Sequence, residues 1–172
     1  MNEAEVERIG RVLAVELRTR WVAYAAFDAA AQLLDFGASR FRSARQAHAR
    51  FLFFAELLHP TIVIFRRIPP RGRPNRPKTR KLARLMRYAC NRLSLEIRLM
   101  NGRDVRNCFR MRGAKTKQQV SALLAEEYPA LAWKLPPPRR SYEHEHWNMP
   151  IFDAVALGVA YFSSVNRREP IE

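Results

Sequence analysis

VLAVELRTRWVAYAAFDAAAQLLDF, Val12 to Phe36, decides the fold. Val12-Leu13-Ala14-Val15 is a short apolar run, β-branched in part and preceded by Gly10, so 11–17 reads as a buried strand. Residues 20–27 and 32–36 read as the next two strands, with 28–31 as the turn between them. Three strands joined this closely predict an antiparallel meander. One residue breaks the pattern. Glu16 closes the apolar run at a position where burial favours another aliphatic. A carboxylate in such a place has to be paired, bind a metal or take up a proton.

Beyond the meander, Ser43 can cap a helix to about Leu58, which His59-Pro60 ends. Residues 61–67, TIVIFRR, read as a β-branched strand. The segment IPPRGRPNRPK follows, and its four prolines predict an extended Arg/Pro-rich loop over 68–80. A basic amphipathic helix is expected over 79–92, with Leu82, Leu85, Met86 and Ala89 on one face. A short strand at 95–99 and a short helix at 104–110 come next. A helix over 115–128 turns Val120, Leu123 and Leu124 inward. A second basic, Pro-rich loop covers 135–142, and a last helix runs from Asn148, a good cap, to about Ser164. There is no internal repeat. This order predicts an α/β fold (an α+β mixed sheet), with five strands flanked by helices in a single domain over 1–172.

The chain of 172 residues carries a formal charge of +15, and the excess is concentrated. Between Arg66 and Lys117 there are 18 Lys/Arg against two acids, Glu96 and Asp104, so the rest of the chain is nearly neutral. A basic block of this kind points to a polyanionic partner, nucleic acid before any other. Arg outnumbers Lys, which suits bidentate phosphate contacts. Cys90 and Cys108 form no Cys-x-x-Cys pair and read as core thiols. No apolar run approaches the roughly 20 residues of a membrane span. The N-terminus MNEAEVERIG lacks the basic-then-apolar shape of a signal peptide, so a cytoplasmic protein without a membrane partner is expected.

Two acids stand where apolar residues belong. Besides Glu16, Asp153 lies near the start of the last helix, in MPIFDAVALGVAYF. Glu143 and Glu145 lie just upstream in EHEHW. Carboxylates gathered from a central strand and a packed helix suit hard divalent cations, Mg²⁺ or Mn²⁺. Such ions can activate water and stabilise the leaving oxygen of a phosphodiester. Plainer readings stand beside this. Asp153 is favourable near a helix N-terminus for dipole reasons alone. Glu16 can pair with Arg18 or Arg20, and EHEH can be a solvated loop instead of a zinc tract.

These residues also carry a resemblance. The chain resembles the RNase H-like superfamily, in particular its RuvC-type Holliday junction resolvase branch, from Arg11 to about Phe162. The first strand ends in an acid, then a short turn and a strand with an aromatic, as in VLAVELRTRWVAYAAF. The third strand is followed by a Gly, as in LLDFGAS, and the last helix carries Asp153-Ala154-Val155-Ala156. GAKTKQQV, 113–120, is similar to a helix start that lies near DNA in such resolvases. The resemblance places Glu16 at the family's first metal-binding aspartate and Asp153 at its last-helix aspartate. It also exposes departures. Arg66 stands where the second acid is expected, and Pro150 stands one turn before Asp153 where another is expected.

The resemblance thus implies a metal-dependent endonuclease and a homodimer, with Glu16 and Asp153 as metal ligands; Glu145, or less so Glu143, can substitute for a missing acid from the loop before the last helix and complete a metal set of Glu16, Glu145 and Asp153. The departures favour a rival: an RNase H-like domain that binds structured DNA or RNA without cutting it. A third reading is an adaptor bound to ribosomal RNA or ribosomal precursors. Phosphate contacts are expected from Arg66, Arg67, Arg71, Arg73, Arg76, Lys78, Arg80, Lys81 and Arg84, and from Lys115 and Lys117 at a helix start. Phe51, Phe53 and Phe54 read as core or dimer contacts. Trp21, Trp133 and Trp147 are scattered, and Trp147 beside His146 can stack on a nucleotide or serve the core.

Overall fold

The computed structural model describes residues 10–29, 31–68, 76–138 and 144–166, without the Arg76 side chain. Five strands form one mixed sheet: β1 (Val12–Leu17), β2 (Trp21–Phe27), β3 (Leu33–Arg40), β4 (Ile62–Arg66) and β5 (Glu96–Met100), in the order β3-β2-β1-β4-β5. The first three are antiparallel, as the meander predicts, while β4 pairs parallel with β1 and β5 parallel with β4. Parallel neighbours need crossovers, and helices supply them. Helix α1 (Ala44–Leu58) links β3 to β4, and α2 (Arg76–Arg92) links β4 to β5. Helices α3 (Gly102–Met111), α4 (Lys117–Glu127) and α5 (Met149–Asn166) follow, with a 3-10 turn at Pro129–Lys134 that the sequence does not announce.

The period of two sorts the sheet's side chains into two cores. Leu13, Val15, Val63 and Phe65 face α1 and α2, where Phe51, Phe54, Leu82 and Met86 meet them. Val12, Ala14, Ile62 and Ile64 face the other side, against Phe152, Val155 and Ala156 of α5. Glu16 and Arg66 continue that second set, so alternation alone aims both at α5. Helix α5 is apolar enough to cross a membrane by composition, yet 78% of it is buried inside the protein, as the core helix against the sheet. Both cysteines are buried free thiols, and burial pushes Cys90 up to about 12.

Four local expectations change. Helix α2 begins at Arg76, not at 79, and so takes over the last residues of the loop expected over 68–80; its Pro77 falls in the first turn, where proline is tolerated. Strand β3 does not stop at Phe36 but runs to Arg40, because its pairing with β2 continues to Trp21. Gly37 lies within the strand, and the Tyr24 ring covers it so closely that a Cβ there would sit 2.9 Å from Tyr24 Cε1. Asn148 precedes α5, but its side chain does not cap it: Nδ2 donates to Lys134 O at 2.9 Å and Oδ1 finds no partner. Thr116, not Lys115, opens α4, through a capping box with Gln119. Of the three helix phenylalanines, Phe51 and Phe54 are core and Phe53 is exposed.

Candidate functional site

The C-terminal ends of β1 and β4, the start of α5 and the first turn of α4 meet at one place. Glu16 arrives there as the last inward residue of the β1 face and is 5% exposed. Asp153, one turn into α5, is 8% exposed. Glu145 comes from the segment before α5, which is folded back by the Met149 N–H donating to His146 O and the Asn148 N–H to His146 Nδ1. Lys117 is fixed by the Thr116 cap and by the buried Ser121, whose hydroxyl donates to Lys117 O and contacts Met149 Sδ. The structure therefore brings Glu16, Glu145 and Asp153 together, with Arg66 and Lys117 beside them.

Cations occupy the space between the acids. Arg66 Nε donates to Glu16 Oε2 at 2.9 Å. Arg18 lies at the centre: Nε sits 3.2 Å from Glu16 Oε1, one terminal nitrogen donates to Glu145 Oε2 at 3.0 Å, and the other donates to Asp153 Oδ2. Lys117 Nζ donates to Glu145 Oε1 at 2.5 Å and to Asp153 Oδ2 at 3.0 Å. Three acids thus face three cations. Burial pushes the Glu16 carboxyl above its ordinary 4.5 against the pull of Arg66, with Asp153 pushing the same way. Burial works against the Arg18 charge too, but Asp153, Glu16 and Glu145 outweigh it and hold its pKa above the ordinary arginine value.

This donor set does not fit a divalent cation as it stands. Five of the six carboxylate oxygens already contact Arg18, Arg66 or Lys117. Among the described residues, no three His, Cys, Asp or Glu side chains are grouped to hold a metal ion. A hard cation at this spot would stand against a guanidinium that touches all three acids, and like charges in so small a volume repel strongly. The plain ion-pair reading of Glu16 with Arg18 is the observed one, and Arg66 joins it.

The basic residues divide. Arg66 and Lys117 belong to this cluster. Lys78 and Lys81 line a cavity of about 920 Å³ with Arg18, Arg20, Arg40 and Arg42, and among the described residues no acid lines it. Arg67, Lys81, Arg84 and Lys115 are exposed, while Arg80 is half-buried. Arg71, Arg73, the Arg76 side chain and Glu143 lie outside the described residues. Sequence reasoning missed Arg20, Arg40 and Arg42 because they fall outside the basic block. The available signal was an Arg-x-Arg at each of two corners, Arg18-Thr19-Arg20 and Arg40-Phe41-Arg42, which the meander brings to one end of the sheet.

No family model and no curated protein matches the chain. Solved structures do. RuvC of T. thermophilus in complex with a Holliday junction substrate matches with a TM-score of 0.67 at 13% identity, over 92% of this chain and 96% of that one. The yeast mitochondrial Holliday junction resolvase matches with 0.66 at 12% identity, over 93% and 82%. The fowlpox virus Holliday junction resolvase matches with 0.59 at 17% identity, over 90% and 99%. The fold is that of the RuvC-type, RNase H-like resolvases.

Proposed function

We propose that this chain, on its RuvC-type RNase H-like fold, binds structured DNA in the cytoplasm and does not cut it. One observation carries the reading: Arg18 contacts all three carboxylates that would otherwise hold metal. Arg66 adds a second cation where the resemblance expects an acid, and Pro150 removes a fourth carboxylate. The cluster becomes a neutral strut joining β1, β4, α4 and α5. Binding falls to the cations around it. Arg20, Arg40, Arg42, Lys78 and Lys81 line one groove; Arg67, Arg80, Arg84 and Lys115 extend the basic surface. Such contacts hold backbone without reading sequence, which suits a branched substrate recognised by shape. RNA is the alternative partner, and a homodimer follows from the resemblance.

A metal-dependent endonuclease is the second reading, favoured by the convergence of Glu16, Glu145 and Asp153 from three segments. One experiment separates the two. A four-way DNA junction is titrated in EDTA, then incubated with Mg²⁺ or Mn²⁺, and each metal is titrated calorimetrically into the junction complex. Binding without cleavage and without metal heat is the expected result. Cleavage that Asp153→Asn abolishes would establish the second reading, and failure to bind junction or RNA would overturn both.

A further inference from the structure

The three tryptophans of the chain, distant in sequence, converge on one cleft. Trp21 opens β2, Trp133 lies in the 3-10 turn and Trp147 precedes α5, and together with Lys134 and the edge strand β3 they line a cavity of about 400 Å³. Two of them are left open to solvent: Trp133 is 73% exposed and Trp147 56%. Large aromatic faces held in water at one place mark a recognition surface more than a core. Lys134 Nζ stands over both rings, 3.8 Å from the Trp133 centroid and 5.3 Å from the Trp147 centroid. His146 adds a fourth ring, tilted 30° to Trp147 at 5.3 Å.

The cleft is continuous with the arginine groove. A hollow between them is lined by Arg20, Trp21, Lys78, His146 and Trp147, and by Glu145, whose charge Arg18 and Lys117 offset; it shares Arg20 and Lys78 with the groove and both tryptophans with the cleft. A charged track that leads into a row of aromatic faces is how proteins hold single strands, the cations taking phosphates and the rings taking bases. A duplex hides its base faces in its own stack, so a concave aromatic cleft is of use only to splayed bases.

We propose that the Trp21–Trp133–Trp147 cleft stacks the bases of an unpaired nucleic-acid strand whose backbone enters along the arginine groove. This rests on the nucleic-acid reading above and specifies its partner as a branched substrate with an unpaired segment. The test uses the chain's own fluorescence, since every tryptophan it has lines the cleft. The full-length protein is titrated with an oligothymidylate, an abasic strand of equal length and charge, and a duplex. The oligothymidylate quenches the emission and the abasic strand does not. Trp133→Ala and Trp147→Ala, both at exposed positions, each lower the ratio of single-strand to duplex affinity roughly 5- to 150-fold. Single-strand binding with no quench and no change in that ratio would overturn the proposal and leave the nucleic-acid reading standing. No binding of any of the three ligands or of the junction would overturn both.

Discussion

Glu16 lies between two apolar neighbours, and its charge depends on Arg18, two residues on, and on Arg66, 50 residues on. Removing one partner of a buried charge network leaves the others uncompensated. Arg18→Ala should therefore lower stability by about 3 kcal/mol, the lower end for a buried pair because the Arg18 side chain keeps 30% exposure. The same variant frees Glu16 Oε1 and Glu145 Oε2 and leaves Asp153 Oδ2 with Lys117 alone, so Mg²⁺ or Mn²⁺ should bind it and restore part of the lost stability. Calorimetry with no heat in either protein would show that the acids cannot be made into a metal site. Glu16 also sets a pH dependence. Its folded pKa lies above 4.5, so the folded state holds the proton more tightly than the unfolded chain. That stability is fully present below 4.5 and is lost as pH rises through the raised value. Glu16→Gln, which resembles the protonated form, should flatten the fall in Tm above pH 4.5; an unchanged slope would refute the shift.

Helix α5 is the element on which the fold turns. It packs on β1 and β2 and carries Asp153 to Glu16. Its close approach to the sheet is set by Gly158, where an added Cβ would run into the Phe27 ring. That ring has no room to retreat, since it packs edge-on against Phe162 at 5.8 Å and Tyr128 at 6.2 Å. Gly158→Ala should cost about 1–3 kcal/mol by overpacking, read as a lower midpoint in denaturant. A neutral result would mean that α5 can shift on the sheet, and the acid cluster with it. The helix was legible in MPIFDAVALGVAYF because it is apolar on nearly every face. The 3-10 turn at Pro129–Lys134 was not, because its six residues, PALAWK, hold too little period to distinguish a turn of helix from a loop.

At the scale of the whole molecule, the +15 charge is the dominant fact. If about six phosphates are neutralised, log affinity should fall with log salt at a slope of about −5, losing about 1,000-fold between 50 and 200 mM. A slope near −1 would show that the basic surface is only solvated. The sequence located the charge in the block 66–117, and Lys78 and Lys81 do line a groove. The groove's other cations come from the meander and the β3–α1 corner, outside that block. A count along the chain cannot see residues that only a folded sheet brings to one end.

The five strands, their order along the chain and the helices between them could be read from Val12 to Asn166 because periods of 2 and 3.6 are local signals. The burial of Glu16 and Asp153 could be read the same way, from the apolar residues around each. Tertiary structure alone decided what those acids meet. Arg18 and Asp153 are 135 residues apart, and no local pattern chooses Arg18 over Arg20, or either over a metal ion. The convergence of three scattered tryptophans was likewise invisible. Backbone periodicity arises between near neighbours, whereas ion pairs and clefts depend on where distant segments cross, and the packing of α5, α4 and the 3-10 turn against the sheet sets those crossings.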